Sequence, residues 1–547
     1  MAVDTAAADR SEKEPSKKAS NALINRMLTH VAQRAEKLPE HIAHATFVSN
    51  SELTDSLSSI NNQVVYGRRG SGKTHAFRNL AASVTEVGDL PIYVDLRIIG
   101  SNGGLYGDTS LSRPARGTQL LIDVLAEIHT QMCNAALLDN RFEALLPYLD
   151  AIAEAMTEVK VEGPVSMTEE VVDKLDDLVG GDAGMSVGLG VSGPTAKLKA
   201  SGGRKRAQST SKKATIQRSG REMPRVLFGA INSALTDAVK AISPQRVWLM
   251  LDEWSSIPLD LQPILGDLIR RSIFPVNGVT VKIAAVERRS EFYERLSKSD
   301  YLGIELGTET AAAINLDVHL LDEAERVSFF RELLYRHLCA LGTDGQLIAS
   351  SFTSASHLTQ VVFGGNHDAL LEFVRASEGV PRDALQIVSL AASLAKDRAI
   401  KTSDIRNAAR KFYVNDKQKL IERMPLALLT QKKLIKEVFF EKRSRTFMVR
   451  RNMVNSSPGI LELHDARLIH LMQPGLYLRL DPGTIFDCYC LDFGSYIQML
   501  ETEEQSSLWN ARRRPDALNR REGTLSDSFD SAPIFTPPRG KKARSEE

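Results

Sequence analysis

Four residues carry the first chemical signal. Gly67, Gly72, Lys73 and Thr74 stand at the spacing G-x-x-x-x-G-K-[ST] within VVYGRRGSGKTH, residues 64–75. Glycines at these positions let the backbone curl, so that successive N–H groups from Gly67 through Arg68, Arg69, Gly70, Ser71 and Gly72 to His75 cradle phosphate oxygens. Lys73 places a positive charge on the β- and γ-phosphates, and the Thr74 hydroxyl can ligate Mg²⁺. A second signal lies downstream in RVWLMLDEW, residues 246–254, where four apolar residues run into Asp252 and Glu253. A buried strand ending in an acid pair delivers carboxylates to the edge where phosphates sit in open α/β sheets. There Asp252 is expected to hold Mg²⁺, and Glu253 to polarise an attacking water as general base. ATP and Mg²⁺ are the expected ligands.

These residues need strands and helices to position them. Val64, Val65 and Tyr66 form a β-rich run before the glycines, and Phe77, Leu80, Ala81 and Val84 follow at helical spacing. The loop therefore opens a helix whose N-terminus faces the anion. Residues 91–99 read as a strand buried on both faces, as does Val279 to Val286, and residues 313–321 supply a fifth apolar run. Between them Leu261, Ile264, Leu265, Leu268 and Ile269 mark a helix that ends in Arg270 and Arg271. Strands alternating with helices predict a parallel sheet.

The remainder of the chain sets limits. With 547 residues several domains are expected, and 69 Lys plus Arg against 68 Asp plus Glu leave a formal net charge of +1. Global charge thus points to no nucleic acid, and only local clusters bear on one. Four cysteines are too few and scattered for a disulfide framework, and Cys488 and Cys490 do not have zinc-site spacing. Residues 1–20 are polar and read as disordered, without the apolar stretch of a signal peptide. No stretch is long and apolar enough to span a bilayer, and a cytoplasmic location without membrane partners is expected.

Residues 21–45 read as a helix leading into the nucleotide domain, which is drawn over residues 21–320. Residues 100–245 form an insertion. Within it helices are expected over 117–136 and 139–160, a hairpin over 185–193, and a disordered basic loop over 184–222. From Asp322 the pattern turns helical: a lid is drawn over 321–416, with a helix beginning after Gly379, Val380, Pro381 and Arg382. Residues 420–505 form a further unit. There a long helix is expected from Leu434 to Arg451, ending in Lys442, Arg443, Arg445, Arg450 and Arg451. A second helix is expected over residues 460–472, stopped by Pro474 and Gly475. Two strands follow, joined by the turn Asp481-Pro482-Gly483. Helices followed by a hairpin suggest a winged helix, and residues 506–547 read as disordered.

Taken together, GRRGSGKTH, LMLDEW, the strand at Val279 to Val286, GVPRD and the C-terminal unit resemble the AAA+ superfamily, specifically the ORC/CDC (origin-recognition) group, over about residues 45–505. The resemblance implies an α/β fold: an AAA+ αβα nucleotide-binding domain with a parallel sheet, a helical lid and a C-terminal winged-helix-like domain. It implies ATP hydrolysis coupled to a conformational or assembly switch, with double-stranded DNA as partner. By the same resemblance Arg382 corresponds to the sensor-2 arginine, sensor 1 falls near Glu287, where the family carries other residue types, and Arg270 or Arg271 is a finger acting on a neighbour's ATP. The alternative is a STAND-like signalling ATPase whose C-terminal unit binds a protein.

Overall fold

In the computed structural model the described residues are 20–31, 38–48, 51–99, 111–156, 159–162, 165–171, 212–218, 221–224, 227–297, 300–310, 312–317, 323–478, 481–505 and 532–538. Strand β1 (Gln63–Tyr66) leads through the glycine loop into the helix Lys73–Glu86, and β2 (Leu90–Asp95) follows. Helices Arg113–Leu138 and Leu146–Met156 come next. Residues Thr157–Leu227 form a separate unit, with strands β3 (Val159–Glu162), β4 (Val165–Val171), β5 (Lys212–Arg218) and β6 (Arg221–Pro224). In it β3 pairs antiparallel with β6, and β4 with β5.

The main unit resumes with the helix Phe228–Ala241 and strand β7 (Val247–Asp252). Then come the helix Gln262–Ser272, β8 (Val279–Ala285), a small ladder of β9 (Tyr293–Arg295) and β10 (Tyr301–Gly303), and β11 (Ile314–Asn315). The sheet order is β11-β1-β8-β7-β2, and every pairing is parallel. Val65, Trp248, Met250 and Ala284 form one core with Phe77, Leu80, Ala81 and Val84 of the glycine-loop helix. The alternate residues Leu249, Leu251 and Ile283 are buried as well. Successive side chains point to opposite faces, so the central strands are covered on both sides.

β2 differs from its expectation. It lies at the sheet edge with alternating burial, so one face is fully buried and the other only half-buried. Its free edge is closed by Gln131, whose carboxamide accepts from the Tyr93 N–H (3.0 Å) and donates to the Tyr93 carbonyl (2.6 Å). At the opposite edge β11 has two residues, and the rest of the expected run, 318–321, lies outside the described residues.

Six helices between Glu323 and Phe412 build the lid. The first described helix, Asn21–His30, belongs with them rather than with the nucleotide domain. Its apolar face (Ile24, Met27 and Leu28) shares a core with Phe330, Leu334 and Ala391. Asn25 fastens it by donating to the carbonyls of Lys396 and Arg398, both at 2.8 Å.

The C-terminal unit runs helix, strand, two helices, strand, strand: Pro425–Leu434 continued by the π-helical Ile435–Glu441, β12 (Thr446–Arg450), Arg451–Asn455, Pro458–Asp465, β13 (Ile469–Leu478) and β14 (Asp481–Leu491). The antiparallel sheet order is β12-β14-β13, a winged-helix-like arrangement. Both long helices expected here stop early. The first ends before Arg443, which adopts φ +51°, and the β-forming run Thr446-Phe447-Met448-Val449 then pairs with β14. The second ends where the Leu468 N–H bonds the Leu463 carbonyl (2.9 Å) and Arg467 turns left-handed (φ +58°). Pro474 and Gly475 therefore fall inside β13, at irregular register.

Two regions expected to be disordered contain ordered segments. The end of the basic stretch, Lys212–Arg218, is β5, whose register sets Lys213 opposite Glu170 and Ile216 opposite Met167. Residues 532–538, near the chain's end, lie against β12. Ile534 makes a parallel bridge with Met448, whose N–H donates to the Pro533 carbonyl (2.9 Å) and whose carbonyl accepts from the Phe535 N–H (2.7 Å). Phe535 is 1% exposed, stacked edge-on against Phe447. Residues 1–19 and 184–211, including the expected hairpin, lie outside the described residues.

Candidate nucleotide-binding site

The glycine loop crosses from β1 to its helix with Gly70 at φ +87° and Gly72 at φ +100°. L side chains rarely adopt either conformation. At Gly70 a Cβ would also come within 3.0 Å of Arg382 Cβ and 3.1 Å of Val380, so the lid approaches here because no side chain intervenes. The Arg382 N–H faces the Gly70 carbonyl at 3.3 Å.

Lys73 is the first residue of the helix and is 8% exposed. Its ammonium donates to the carbonyls of Gly67 (2.9 Å) and Arg68 (3.1 Å). Burial lowers its pKa, while Asp317, Asp252 and Glu253 support the charge. Thr74 donates to Oδ2 of Asp252 over 2.6 Å, and the Tyr93 hydroxyl donates to the same oxygen over 2.7 Å. The other oxygen, Oδ1, accepts the Glu253 N–H at 2.8 Å. Asp252 is 1% exposed at the end of β7. Glu253 sits at φ +59°, a left-handed turn that carries it out of the strand into the cleft, 3.8 Å from Arg97.

Arg69, Gly72, Lys73, Thr74, Glu253 and Arg382 line a single cleft of about 280 Å³. His75 lies on its wall. Burial lowers the pKa of that imidazole, which meets the Ala43 carbonyl at 2.6 Å. A second, more apolar pocket of about 400 Å³ adjoins the loop at Ser71 and Gly72, lined by Phe47, Leu53, Leu316 and Phe329.

Other expectations find different surroundings. The Arg68 guanidinium turns toward the C-terminal unit, meeting His470 Nδ1 at 3.0 Å, the Glu378 carbonyl at 3.1 Å and Asp317 at 3.2 Å. Past the end of β8, Val286 lines the cleft, while Glu287 is exposed. Arg270 is held by Asp267 (2.6 Å) and Glu309 (2.8 Å), and Arg271 by Asp267 (2.7 Å). The C-terminal arginines are largely engaged within the chain: Arg445 with Glu378, Arg450 with Asp481 and Arg451 with Asp487. Arg288 and Arg289, beyond β8, join the same surface through Asp487 (2.8 Å) and Asp465 (3.1 Å). Sequence reasoning missed Tyr93, Arg97 and Asp317. Tyr93 and Arg97 lie within and just past β2, at the carboxyl end of a strand, and position there is the signal that could have raised them.

The ORC-CDC6-like family model matches residues 31–89, which contain β1, the glycine loop and its helix. That match bears out the resemblance read from the motifs. Among curated proteins none matches this chain. Among solved structures the chain is similar to Cdc6p from Pyrobaculum aerophilum, at 11% identity over 85% of this chain and 99% of that one, TM-score 0.32. It is also similar to the Drosophila ORC bound to DNA, at 10% identity over 91% and 96%, TM-score 0.30. A variant of RuvB from Thermotoga maritima matches at 10% identity over 87% and 98%, TM-score 0.30. The parallel sheet, the glycine loop and the acid pair at the end of β7 define a nucleotide-binding α/β fold of the AAA+ type. Among the described residues no helix is long and apolar enough to cross a membrane.

Proposed function

We propose that this protein binds and hydrolyses ATP and uses the cycle to change how its lid and C-terminal unit sit on the nucleotide site. One observation carries the reading: Lys73, Thr74, Glu253 and Arg382 converge on one cleft, with Asp252 bonded to Thr74 directly behind it. The phosphates lie along the glycine loop, and the base enters the apolar pocket beside Phe47 and Phe329. Mg²⁺ would neutralise phosphate charge when bound, and Thr74 and Asp252 are the residues that would hold it. Thr74 can ligate through a lone pair while its O–H still donates to Asp252. Glu253 accepts the proton of the attacking water as that oxygen bonds the γ-phosphorus, and the bond from γ-phosphorus to the bridging oxygen breaks. Arg382 brings positive charge from the lid to the transferring group. Phosphate release from ATP by the full chain, compared with Glu253→Gln, tests the reading. Absent turnover in the wild type would reject hydrolysis, and absent ATP binding in calorimetry would reject the site.

A second reading adds double-stranded DNA as the partner of the C-terminal unit, supported by its winged-helix-like order of elements. Lys442 and Arg443 are exposed, whereas Arg445, Arg450, Arg451 and Arg467 meet acids of the same chain. Of these, Arg445 and Arg467 pair with Glu378 and Asp383 of the lid, so DNA contact through those two requires the unit to leave its present seat. Duplex binding that appears only with one nucleotide state and weakens as salt rises supports this reading. Capture of DNA by neither state moves the protein-binding switch ahead.

A further inference from the structure

The described residues contain a closed ring of polar contacts running from the glycine loop through the C-terminal unit and lid, then back to the loop. Arg68 meets His470 Nδ1 at 3.0 Å, and His470 Nε2 meets Asp492 Oδ1 at 3.2 Å. Asp492 receives Lys417 at 2.5 Å, and Lys417 also reaches Asp383 at 2.9 Å. Asp383 follows Arg382, whose N–H faces the Gly70 carbonyl. Lys417, Asp383, Asp492 and His470 are each at most 2% exposed.

The partners fix the state of His470. Arg68 is a donor only, so Nδ1 must accept, and Asp492 then receives the Nε2 proton. His470 is a neutral imidazole with a defined tautomer, and its burial pushes its pKa down to about 4. Lys417 stays charged: burial opposes the ammonium, but Asp383 and Asp492 outweigh it and raise its pKa.

Arg68 is also bound through its backbone. Its N–H donates to Asp317 (2.8 Å), and its carbonyl accepts from Lys73. The residue whose carbonyl accepts from Lys73 is therefore held at its far end by a histidine of β13. We infer that His470 is a positioning residue of the nucleotide site, supplied by the winged-helix-like unit, and that ATP binding and the seating of that unit are coupled through Arg68. The inference rests on the ATP-binding reading and adds a residue some 400 positions away to that site.

Two consequences follow. A loop that is pre-set binds its ligand without first being ordered, so loss of the Arg68 anchor lowers nucleotide affinity. Coupling is reciprocal, so ATP must in turn tighten the seat of β13.

The test uses the full chain. His470→Ala should weaken ATP affinity in calorimetry by about tenfold, the worth of one hydrogen bond to a charged group. His470→Gln should recover most of it, because the carboxamide accepts from Arg68 and donates to Asp492. Arg68→Met should weaken binding at least as much as His470→Ala, because it also removes the contacts to Asp317 and the Glu378 carbonyl. The double variant should add little, because both remove the same contact. ATP should slow hydrogen exchange at β13 amides in the wild type and not in Arg68→Met. Thermal unfolding accompanies each variant, and Arg68→Met carries the test should His470→Ala fail to fold. Wild-type affinity in folded Arg68→Met, or single effects that sum in the double variant, would overturn the inference. A wild type that binds no ATP fails the underlying reading, and the inference falls with it.

Discussion

Thr74 donates its hydroxyl proton to Oδ2 of Asp252 over 2.6 Å, joining the first turn of the glycine-loop helix to the end of β7 across 178 positions of sequence. Tyr93 donates to the same oxygen from the edge strand. With this bond in place, Asp252 is oriented before any ligand arrives. Tyr93→Phe removes one of the two donors while keeping the ring. The expected result is a loss of about 1 kcal/mol, or roughly fivefold, in Mg²⁺-dependent ATP affinity. Calorimetry with and without Mg²⁺ separates this from a general loosening.

Lys73→Ala should abolish tight nucleotide binding, because the β- and γ-phosphates lose their buried cation. Near-normal ATP affinity by calorimetry would reject the assignment of the loop.

Glu253→Gln should leave ATP binding intact and slow turnover by about 10²–10⁴. The amide keeps the shape and the left-handed turn but cannot take the proton. Steady-state phosphate release with a parallel binding measurement reads both quantities.

Stability should fall on acidification. Burial pushes His337 and His470 down to about 4 and His464 to about 3. Between pH 6.5 and those values the unfolded chain binds protons that the folded chain does not, so stability drops as pH falls through that window and levels off below it. Each histidine contributes on the order of 3 kcal/mol to the drop. Thermal unfolding midpoints from pH 7.5 to 4.5 follow it, and a flat profile would contradict the buried neutral state.

Lys282 gives a window on the alkaline side. It is fully buried in β8 and donates to the carbonyls of Ser59 (2.6 Å) and Asn61 (3.0 Å) and to the side chain of Gln63. Burial pushes its pKa down to about 7. From pH 10 down to 7 the unfolded lysine is protonated while the folded one resists, so this side chain costs stability progressively over that range. Lys282→Met should therefore gain on the wild type as pH falls from 10 to 7, by on the order of 3 kcal/mol. Denaturant midpoints at the two ends measure the change.

The site was legible where its signal is local. The glycine loop and the apolar run into Asp252 and Glu253 are contiguous patterns, and the parallel sheet follows from strand and helix alternation. What the chain hides in one dimension is partnership. Arg68 and His470 stand 402 positions apart, and neither neighbourhood in sequence names the other. The same holds for Arg445, Arg450 and Arg451 of the C-terminal basic cluster. Their partners Glu378, Asp481 and Asp487 come from the lid and from β14. Helix ends at Arg443 and Arg467 were misplaced because non-glycine residues adopt left-handed conformations there, each next to a strand that pairs elsewhere.

β12 is an outer strand of its sheet, and an outer strand offers its backbone to any strand that passes. Residues 533–535 occupy that offer at Met448, and Phe535 plugs the adjoining apolar seat. The last described segment thus acts as a resident guard against self-association. Shortened forms of the chain, or a bulky tag fused beside it, would leave β12 open to a neighbour's strand, and stacked multimers rather than unfolding would be the sign of that loss.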